Sequence, residues 1–486
     1  RMFKTESYLK LKKISNITNS TKNINKNSAF FAIKGSNTDG NKYINEAIKQ
    51  GAKIIISNNK KELNKIKNNE IIKIFSSDIR KFYSEECSRV NDYPSTKVKI
   101  CGVTGTNGKT SIATMLRYIW GAKYSGLIGT IENSYGYHKI KSILTTPDTS
   151  ELNKLINKMC KSRIKEIFLE VSSHALEQKR VSSIHFDTAI FTNITQDHLD
   201  YHKTMNNYFL SKQLLFNFYL KESIKKKKYA IVNIDDKYGK RILKNKIKGI
   251  KYFSYSMKDS SADFFLKEII KKNIYNELLI KNNRNIFLLK TKMFGAYNFQ
   301  NILACFAYSM IWKKPYLEIF EKIKKFKGAA GRLEPITLNK LKVFIDYAHT
   351  PDALEKSLKA IRSEYANHTI ILVFGCGGNR DISKRSKMGT IAERYSDFII
   401  LTNDNPRYET PIKIIRDIKR GIKSRNKVVT IINREKAIIS GLKKLNNKSV
   451  ILIAGKGHED YQEINGEKIS FSDHNVVKNF IENESI

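Results

Sequence analysis

The sequence predicts an α/β protein of three successive units, and three observations carry that reading. Short apolar runs recur as candidate strands with helical stretches between them, the alternation that builds mainly parallel sheets covered by helices. The 486 residues suffice for two to four domains at about 100–200 residues each. Apolar residues make up 41% of the chain and aromatics 10%, so each unit can bury an ordinary core. A mainly disordered protein is thereby excluded.

The first unit, residues 1–96, holds a strand at 29–33, a Gly/Asn/Asp turn at 35–41, a helix and a buried strand at 53–57. Ile44, Ala47 and Ile48 set the apolar face of that helix at i, i+3, i+4 spacing. The polar stretch 91–96, with Pro94, marks the boundary. The second unit, 97–332, opens with a strand at 98–103, a Gly-rich turn and a helix. Further strands follow at 166–170, 189–193 and 229–233, and the alternating pieces of 262–292 read as an antiparallel excursion. The lysine run 225–228 reads as a solvated loop. The third unit, 333–486, alternates strands at 342–346, 369–374, 398–402, 428–432 and 449–454 with helices, which predicts a doubly wound, Rossmann-like sheet. No internal repeat is visible.

Lys and Arg number 88 against 46 Asp and Glu, a net charge of +42. Taken alone this invites a nucleic-acid-binding ATPase. The excess is spread along the whole chain among Asn and Ile, however, as A/T-rich codon usage would write it. Aromatics are not interleaved with the basic runs as stacking platforms require. Neither nucleic acid nor insertion into a membrane is expected, since the apolar runs are strand-sized. The five cysteines, Cys87, Cys101, Cys160, Cys305 and Cys376, are odd in number and widely spaced, which suits a reducing compartment. With a polar, lysine-rich start and no signal-peptide core, the expectation is a cytoplasmic, monomeric protein.

The string from Gly102 to Thr110, GVTGTNGKT, lies between a buried strand and a helix. Glycines let backbone N–H groups turn onto a phosphate, and the helix start adds partial positive charge. Lys109 would reach the outer phosphates of a nucleotide and the Thr110 hydroxyl would meet Mg²⁺. The strict phosphate-loop pattern fails at one position, where Val103 replaces the first glycine. The loop residues Gly105, Thr106, Asn107, Gly108, Lys109, Thr110 and Ser111 are therefore candidate ATP ligands. In the third unit, Asp346/His349, 375–380, 403–407 and 455–459 each fall just past a predicted strand, the edge where open α/β sheets bind ligands. Arg380, Arg407, Asp404 and Glu459 put both signs of charge there, as a zwitterion demands.

The string GTNGKT resembles the Mur ligase superfamily, the ATP-dependent amide-forming ligases of peptidoglycan synthesis, together with folylpolyglutamate synthetase. The resemblance runs through the chain in family order: Thr145-Thr146-Pro147-Asp148, Glu170-Val-Ser-Ser-His174, Thr192-Asn193, Asp197-His198-Leu-Asp-Tyr-His202, Gly295 with Asn298 and Asn301, Gly331-Arg332-Leu-Glu334, Asp346-Tyr-Ala-His-Thr-Pro351, Gly375-Cys-Gly-Gly-Asn-Arg380, Asp404-Asn-Pro-Arg407 and Gly455-Lys-Gly-His-Glu459. Asp-Asn-Pro-Arg is typical of the diaminopimelate-adding members. The resemblance implies that UDP-N-acetylmuramoyl-L-alanyl-D-glutamate is activated by ATP with Mg²⁺ as an acyl phosphate, which meso-2,6-diaminopimelate then attacks. A lysine-adding member and folylpolyglutamate synthetase are the alternatives within the class.

By the same resemblance, Lys109, Lys212, His198 and Arg332 are catalytic. Asn298, Asn301, Arg332, Asp346 and His349 complete the ATP site. Thr110, Glu170, His198 and Lys212, the last as a carbamate, hold the metal. Thr18, Ser20, Ser36, Asn37, Thr38, Thr145, Thr146, Ser172, Gln178 and Arg180 meet the UDP-linked substrate. Arg380, Asp404, Asn405, Pro406, Arg407, Gly455 and Glu459 meet diaminopimelate. Four positions depart from the family pattern: Thr21 stands where Arg is frequent, Leu144 replaces an Asn, and Pro-Gly-Arg-Met-Glu reads Ala-Gly-Arg-Leu-Glu at 330–334.

Overall fold

The computed structural model describes residues 12–14, 16–35, 38–272, 274–338 and 341–484. Its first sheet has four parallel strands in sequential order, Ile17–Thr18, Ser28–Ala32, Ala52–Ser57 and Ile72–Phe75. The strand Ser28–Ala32 is buried throughout. Alternate side chains feed opposite faces: Ala29 and Phe31 pack with Tyr83 and Cys87, while Phe30 and Ala32 pack with Ile44 and Leu63. A strand covered on both sides has to be a continuous apolar run, which is why it was legible.

The second sheet has eleven strands. Seven are mutually parallel, in the order Phe264–Lys271, Lys251–Ser256, Tyr229–Asn233, Thr188–Phe191, Lys99–Thr104, Glu166–Glu170 and Ser125–Ile128. Antiparallel strands extend both edges, Asn276–Asn282 and Asn285–Thr291 on one side, Glu132–Tyr135 and His138–Lys141 on the other. Of the stretch 262–292 read as an antiparallel excursion, Phe264–Lys271 joins the parallel strands and the two strands after it form the first of these extensions. The lysine run behaves differently from a solvated loop. Lys226 and Lys227 are exposed, but Lys225 Nζ donates to the Val98 carbonyl at 2.7 Å and pairs with Asp187 at 3.4 Å. A strand-edge carboxylate and an open carbonyl drew it inward.

The third sheet runs in the order Glu334–Leu338, Leu341–Asp346, Ser449–Ala454, Thr369–Phe374, Phe398–Leu401, Val428–Thr430, parallel except for its first pair. A hairpin, Tyr461–Ile464 and Glu467–Ser470, stands apart from it. No helix among the described residues is long and apolar enough to cross a membrane.

One fully buried ion pair pins the ligand-facing edge of this third sheet. Arg434 Nε and Nη2 donate to the two Asp473 oxygens at 2.8 Å each, and Nη2 also reaches the Ala454 carbonyl at 3.0 Å. Removing one partner strands the other charge without water. Asp473→Ala should therefore lower stability by about 3–5 kcal/mol. Urea unfolding followed by circular dichroism checks this, and a loss under about 1 kcal/mol would contradict it.

Candidate active site

The strand Lys99–Thr104 delivers the chain to a loop that only glycine can make at two points. A Cβ on Gly105 (φ +150°) would sit 1.8 Å from Thr192 Oγ1, and one on Gly108 (φ +90°) 2.6 Å from Asn301 Oδ1. The helix Lys109–Trp120 starts directly after. Lys109 Nζ folds back onto the Gly105 and Thr106 carbonyls, 2.9 Å from each. From behind the loop, Lys212 Nζ donates to the same Gly105 carbonyl at 2.8 Å.

Lys212 comes from the helix Met205–Leu214, is 1% exposed, and lies over the Tyr208 ring at 4.7 Å. Burial pulls its pKa well below the usual lysine range, the neighbouring Lys109 charge adds to this, and Asp197 opposes it. Its helix then widens into a π-helical stretch, Leu215–Leu220, a distortion often found at functional sites.

Glu170 ends the neighbouring strand and is 1% exposed. Its Oε2 accepts from Thr110 Oγ1 at 2.8 Å and Thr130 Oγ1 at 3.0 Å, while Oε1 accepts from the Thr130 N–H at 2.8 Å. Thr130 carries no sequence signal, being a lone threonine in a loop. Arg332 arrives from the junction of the second and third units. Its Nη2 donates to Thr110 Oγ1 at 3.1 Å and its face covers the Tyr347 ring at 4.7 Å. Its buried Nε has no hydrogen-bond partner among the described residues.

Thr130, Glu170 and Arg332, but not Lys212, line a cavity of ≈ 190 Å³ with residues 106–111, Thr145, His198, Asn301, Asp346 and His349. Asn298 and Asn301 share the helix Ala296–Ile311 at i, i+3 spacing, but of the two only Asn301 lines the cavity. Asn298 Nδ2 turns back to the Phe294 carbonyl at 2.8 Å, satisfying its own helix start, and Tyr297 and Gln300 line the wall beside Asn301. Asp346 is buried, accepting from Ser357 Oγ and from the Leu333 N–H at 3.3 Å. His349 Nδ1 meets the Tyr347 carbonyl at 2.8 Å.

A second cavity, ≈ 170 Å³, is lined by Gly377, Arg380, Asp404, Asn405, Arg407, Gly455 and Glu459, together with Lys384. The two cavities share Asp197, His198, Tyr347 and His349. Pro406 does not line the second one; its carbonyl would lie 1.9 Å from a Cβ on Gly378, so it shapes the loop. Beneath the pocket lies Lys456, wholly buried, with Nζ donating to Asn405 Oδ1 at 3.0 Å and Glu459 Oε2 at 2.9 Å. Sequence reasoning missed it, because in a lysine-rich chain a buried lysine looks like any other.

A third cavity, ≈ 140 Å³, opens between the first and second units, lined by Asn19, Arg80 and Tyr83 from one and Leu144, Asp148, Gln178, Lys179 and Arg180 from the other. Arg180 Nη1 donates to the Thr146 carbonyl at 3.0 Å, and Nε and Nη2 hold Gln178 Oε1 at 3.1 and 2.7 Å. Thr146 Oγ1 ties to the Glu170 carbonyl at 2.8 Å, and Ser172 Oγ caps the helix Ser173–Glu177. Thr18 Oγ1 makes a local turn with Ser20, and the Thr38 carbonyl accepts from the Gly35 N–H at 2.8 Å; none of these three lines this cavity. Ser36 and Asn37 lie outside the described residues.

Three family models match this chain: Mur ligase family, catalytic domain, over residues 13–92; Mur ligase middle domain over 103–309; and Mur ligase, glutamate ligase domain, over 331–457. The UDP-N-acetylmuramoyl-L-alanyl-D-glutamate–2,6-diaminopimelate ligase of Aquifex aeolicus is 38% identical over 473 residues, 97% of this chain and 94% of that protein. The protein of the same name from Clostridium tetani is 40% identical over 480 residues, covering 96% and 95%. The chain belongs to the Mur ligase family. A solved structure titled as UDP-N-acetylmuramoyl-L-alanyl-D-glutamate–2,6-diaminopimelate ligase superposes with a TM-score of 0.68 at 28% identity, covering 97% of this chain and 96% of that one.

Mur ligases are ATP-dependent enzymes, and the first cavity offers groups a nucleoside triphosphate needs: the start of the helix Lys109–Trp120, the Lys109 ammonium, and an Arg332 Nε lacking an acceptor among the described residues. The donors around it suit Mg²⁺. That ion is held by one or two carboxylates plus phosphate and water oxygens rather than by an all-protein cage. Glu170 and Thr110 supply a carboxylate and a hydroxyl, and no group of three His, Cys, Asp or Glu gathers there among the described residues. His198, left-handed at φ +54° and 3.3 Å from Asp197 Oδ2, is kept neutral chiefly by burial, with Asp197 pulling the other way.

Lys212→Ala in this Mur ligase should cut kcat by at least about 10²–10³-fold, since an electrostatic group buried beside the phosphate loop is lost. Bicarbonate should not rescue the variant, whereas Lys212→Glu should keep a trace of activity. Steady-state ADP release checks all three, and near-wild-type turnover by a folded Lys212→Ala would contradict the role.

Proposed function

We propose that this Mur ligase joins meso-2,6-diaminopimelate to UDP-N-acetylmuramoyl-L-alanyl-D-glutamate, in the cytoplasm and as a monomer. Residues 1–96 hold the uridine end, 97–332 the ATP, and 333–486 the incoming amino acid. The observation that carries the reading is the wall shared by the two cavities at Asp197, His198, Tyr347 and His349. A phosphate loop on one side and a pocket of both charge signs on the other meet where a carboxylate must be phosphorylated and then attacked by an amine. The relatives' names agree with the chemistry of that pocket.

A glutamyl carboxylate oxygen attacks the γ-phosphorus of ATP, the bond to the β-phosphate oxygen breaks, and ADP leaves. The amine then attacks the acyl carbon, inorganic phosphate departs and the amine proton passes to solvent. Such transfers rest on positioning and charge stabilisation more than on a protein nucleophile. Lys109 leaves its carbonyl partners for the outer phosphates, and Arg332 supplies Nε to the same charge. Thr110, Glu170, His198 and carbamylated Lys212 would hold Mg²⁺, which supplies neutralisation of phosphate charge when bound. Carbamylation requires an unprotonated amine, and the burial of Lys212 provides one. Arg180, Gln178, Ser172, Thr145 and Thr146 lie between the third cavity and Glu170, in the path of the substrate's peptide stem.

Diaminopimelate and lysine share an α-amino acid end and differ at the far end, where diaminopimelate has a second carboxylate. Arg407 stands in the pocket to take it. Arg407 already pairs with Glu463 through Nε; lysine would leave the remaining guanidinium donors without the second carboxylate. Sites built around a polar partner reject analogues lacking it by ~10⁴–10⁵-fold. Kinetics on both amino acids should show a preference of that order in kcat/KM. Arg407→Ala should lose most diaminopimelate activity with a much smaller change in the lysine rate, and equal use of both by the wild type would refute the reading.

A further inference from the structure

The loop that carries Arg407 does not hold its own shape. Arg407 is in the left-handed region at φ +52°, a conformation that costs a branched or long side chain energy unless its surroundings impose it. The surroundings are the hairpin Tyr461–Ile464/Glu467–Ser470. Arg407 N–H donates to the Glu463 carbonyl at 3.0 Å, and Asn465 N–H donates to the Arg407 carbonyl at 2.8 Å. The loop thus adds to the hairpin as a short parallel bridge, Arg407 against Ile464. Two more bonds repeat the pattern: Gln462 Nε2 to the Asp404 carbonyl at 2.8 Å, and Glu463 N–H to Asn405 Oδ1 at 2.9 Å.

The side chain is fixed as firmly. Glu463 Oε2 accepts from Arg407 Nε at 2.9 Å, and the Gly378 carbonyl accepts from Nη1 at 2.8 Å. Gly377 leaves room, since a Cβ there would come within 3.0 Å of Nη1. A guanidinium has five N–H donors in one plane. With Nε and one Nη1 hydrogen engaged, Nη2 has no acceptor among the described residues, and Arg407 lines the pocket.

We propose that Glu463 is a specificity-positioning residue: it clamps Arg407 through Nε so that only the end-on Nη1/Nη2 fork meets the ligand's distal carboxylate. The inference rests on the diaminopimelate reading above. It also predicts a sign that charge alone would reverse. Glu463 is an acid beside a cation that must bind an acid, so as a mere charge it weakens the pocket, and neutralising it would tighten ligand binding. As a clamp it does the opposite.

The test is steady-state kinetics of the full-length wild type, Glu463→Gln, Glu463→Ala and, as a control on the same hairpin, Glu467→Gln. Glu463→Ala should raise KM for meso-diaminopimelate on the order of tenfold or more, with KM for ATP and for the UDP-linked dipeptide within about twofold. Glu463→Gln keeps an acceptor for Nε and should fall between wild type and Ala; Glu467→Gln should match wild type. The slow lysine reaction should be unmoved, since lysine has no distal carboxylate. An unchanged or lowered KM for diaminopimelate in both Glu463 variants would overturn the inference while leaving the diaminopimelate reading intact. So would a parallel rise in all three KM values, which would make Glu463 a folding residue only. Wild-type indifference between diaminopimelate and lysine would overturn the reading and this inference together.

Discussion

Two lysine side-chain nitrogens converge on one backbone carbonyl, that of Gly105, and much of the site is organised around that crowding. Lys109 and Lys212 both donate to it, in a loop whose glycines leave no room for anything larger. Burial is the main cause that depresses both pKa values; the Lys109 charge lowers that of Lys212 further, and the Arg332 charge lowers that of Lys109. Under the function proposed above, Lys109 would turn to phosphate oxygens and Lys212 would take up carbon dioxide as a carbamate, which would relieve the crowding.

Catalysis also requires that two sheets aim the same edge at one cleft. The central strands end at Thr104, Glu170 and Phe191, and the third sheet's strands end at Asp346, Phe374, Leu401 and Ala454. Ligands bind at carboxyl edges because loops there are free of the ladder. Contacts across the cleft hold the edges face to face. Asp352 Oδ2 takes Asn107 Nδ2 of the phosphate loop at 2.7 Å and Thr195 Oγ1 at 3.3 Å, and Lys141 pairs with Asp460 at 2.6 Å. Each is a polar contact of the kind that opens and closes at small cost, suiting a hinge near Arg332.

Much of this was legible in the sequence for a physical reason. Strands 166–170, 229–233, 369–374 and 449–454 were read to the residue because double burial makes them unbroken apolar runs, bounded by polar or glycine-rich turns. The phosphate loop was legible because its glycines are required by close approach. What stayed hidden depends on packing between distant segments. Thr130, Lys384, Lys456 and Glu463 gain their roles only when loops from different strands meet. Asn298 shows the converse: its spacing from Asn301 is right for a shared face, while a carbonyl at its own helix start takes its amide. Lys225, in a run of identical neighbours, was drawn inward by Asp187, which lies far away in sequence.

The central claim is that the shared wall between the cavities is where a carboxylate is first phosphorylated and then joined to an amine. The most direct test labels the glutamyl carboxylates of UDP-N-acetylmuramoyl-L-alanyl-D-glutamate with ¹⁸O and follows the inorganic phosphate by mass spectrometry during turnover with meso-2,6-diaminopimelate. An acyl phosphate must carry one carboxylate oxygen away, so one ¹⁸O should appear in phosphate for each amide formed. Unlabelled phosphate accompanying amide formation would contradict the account.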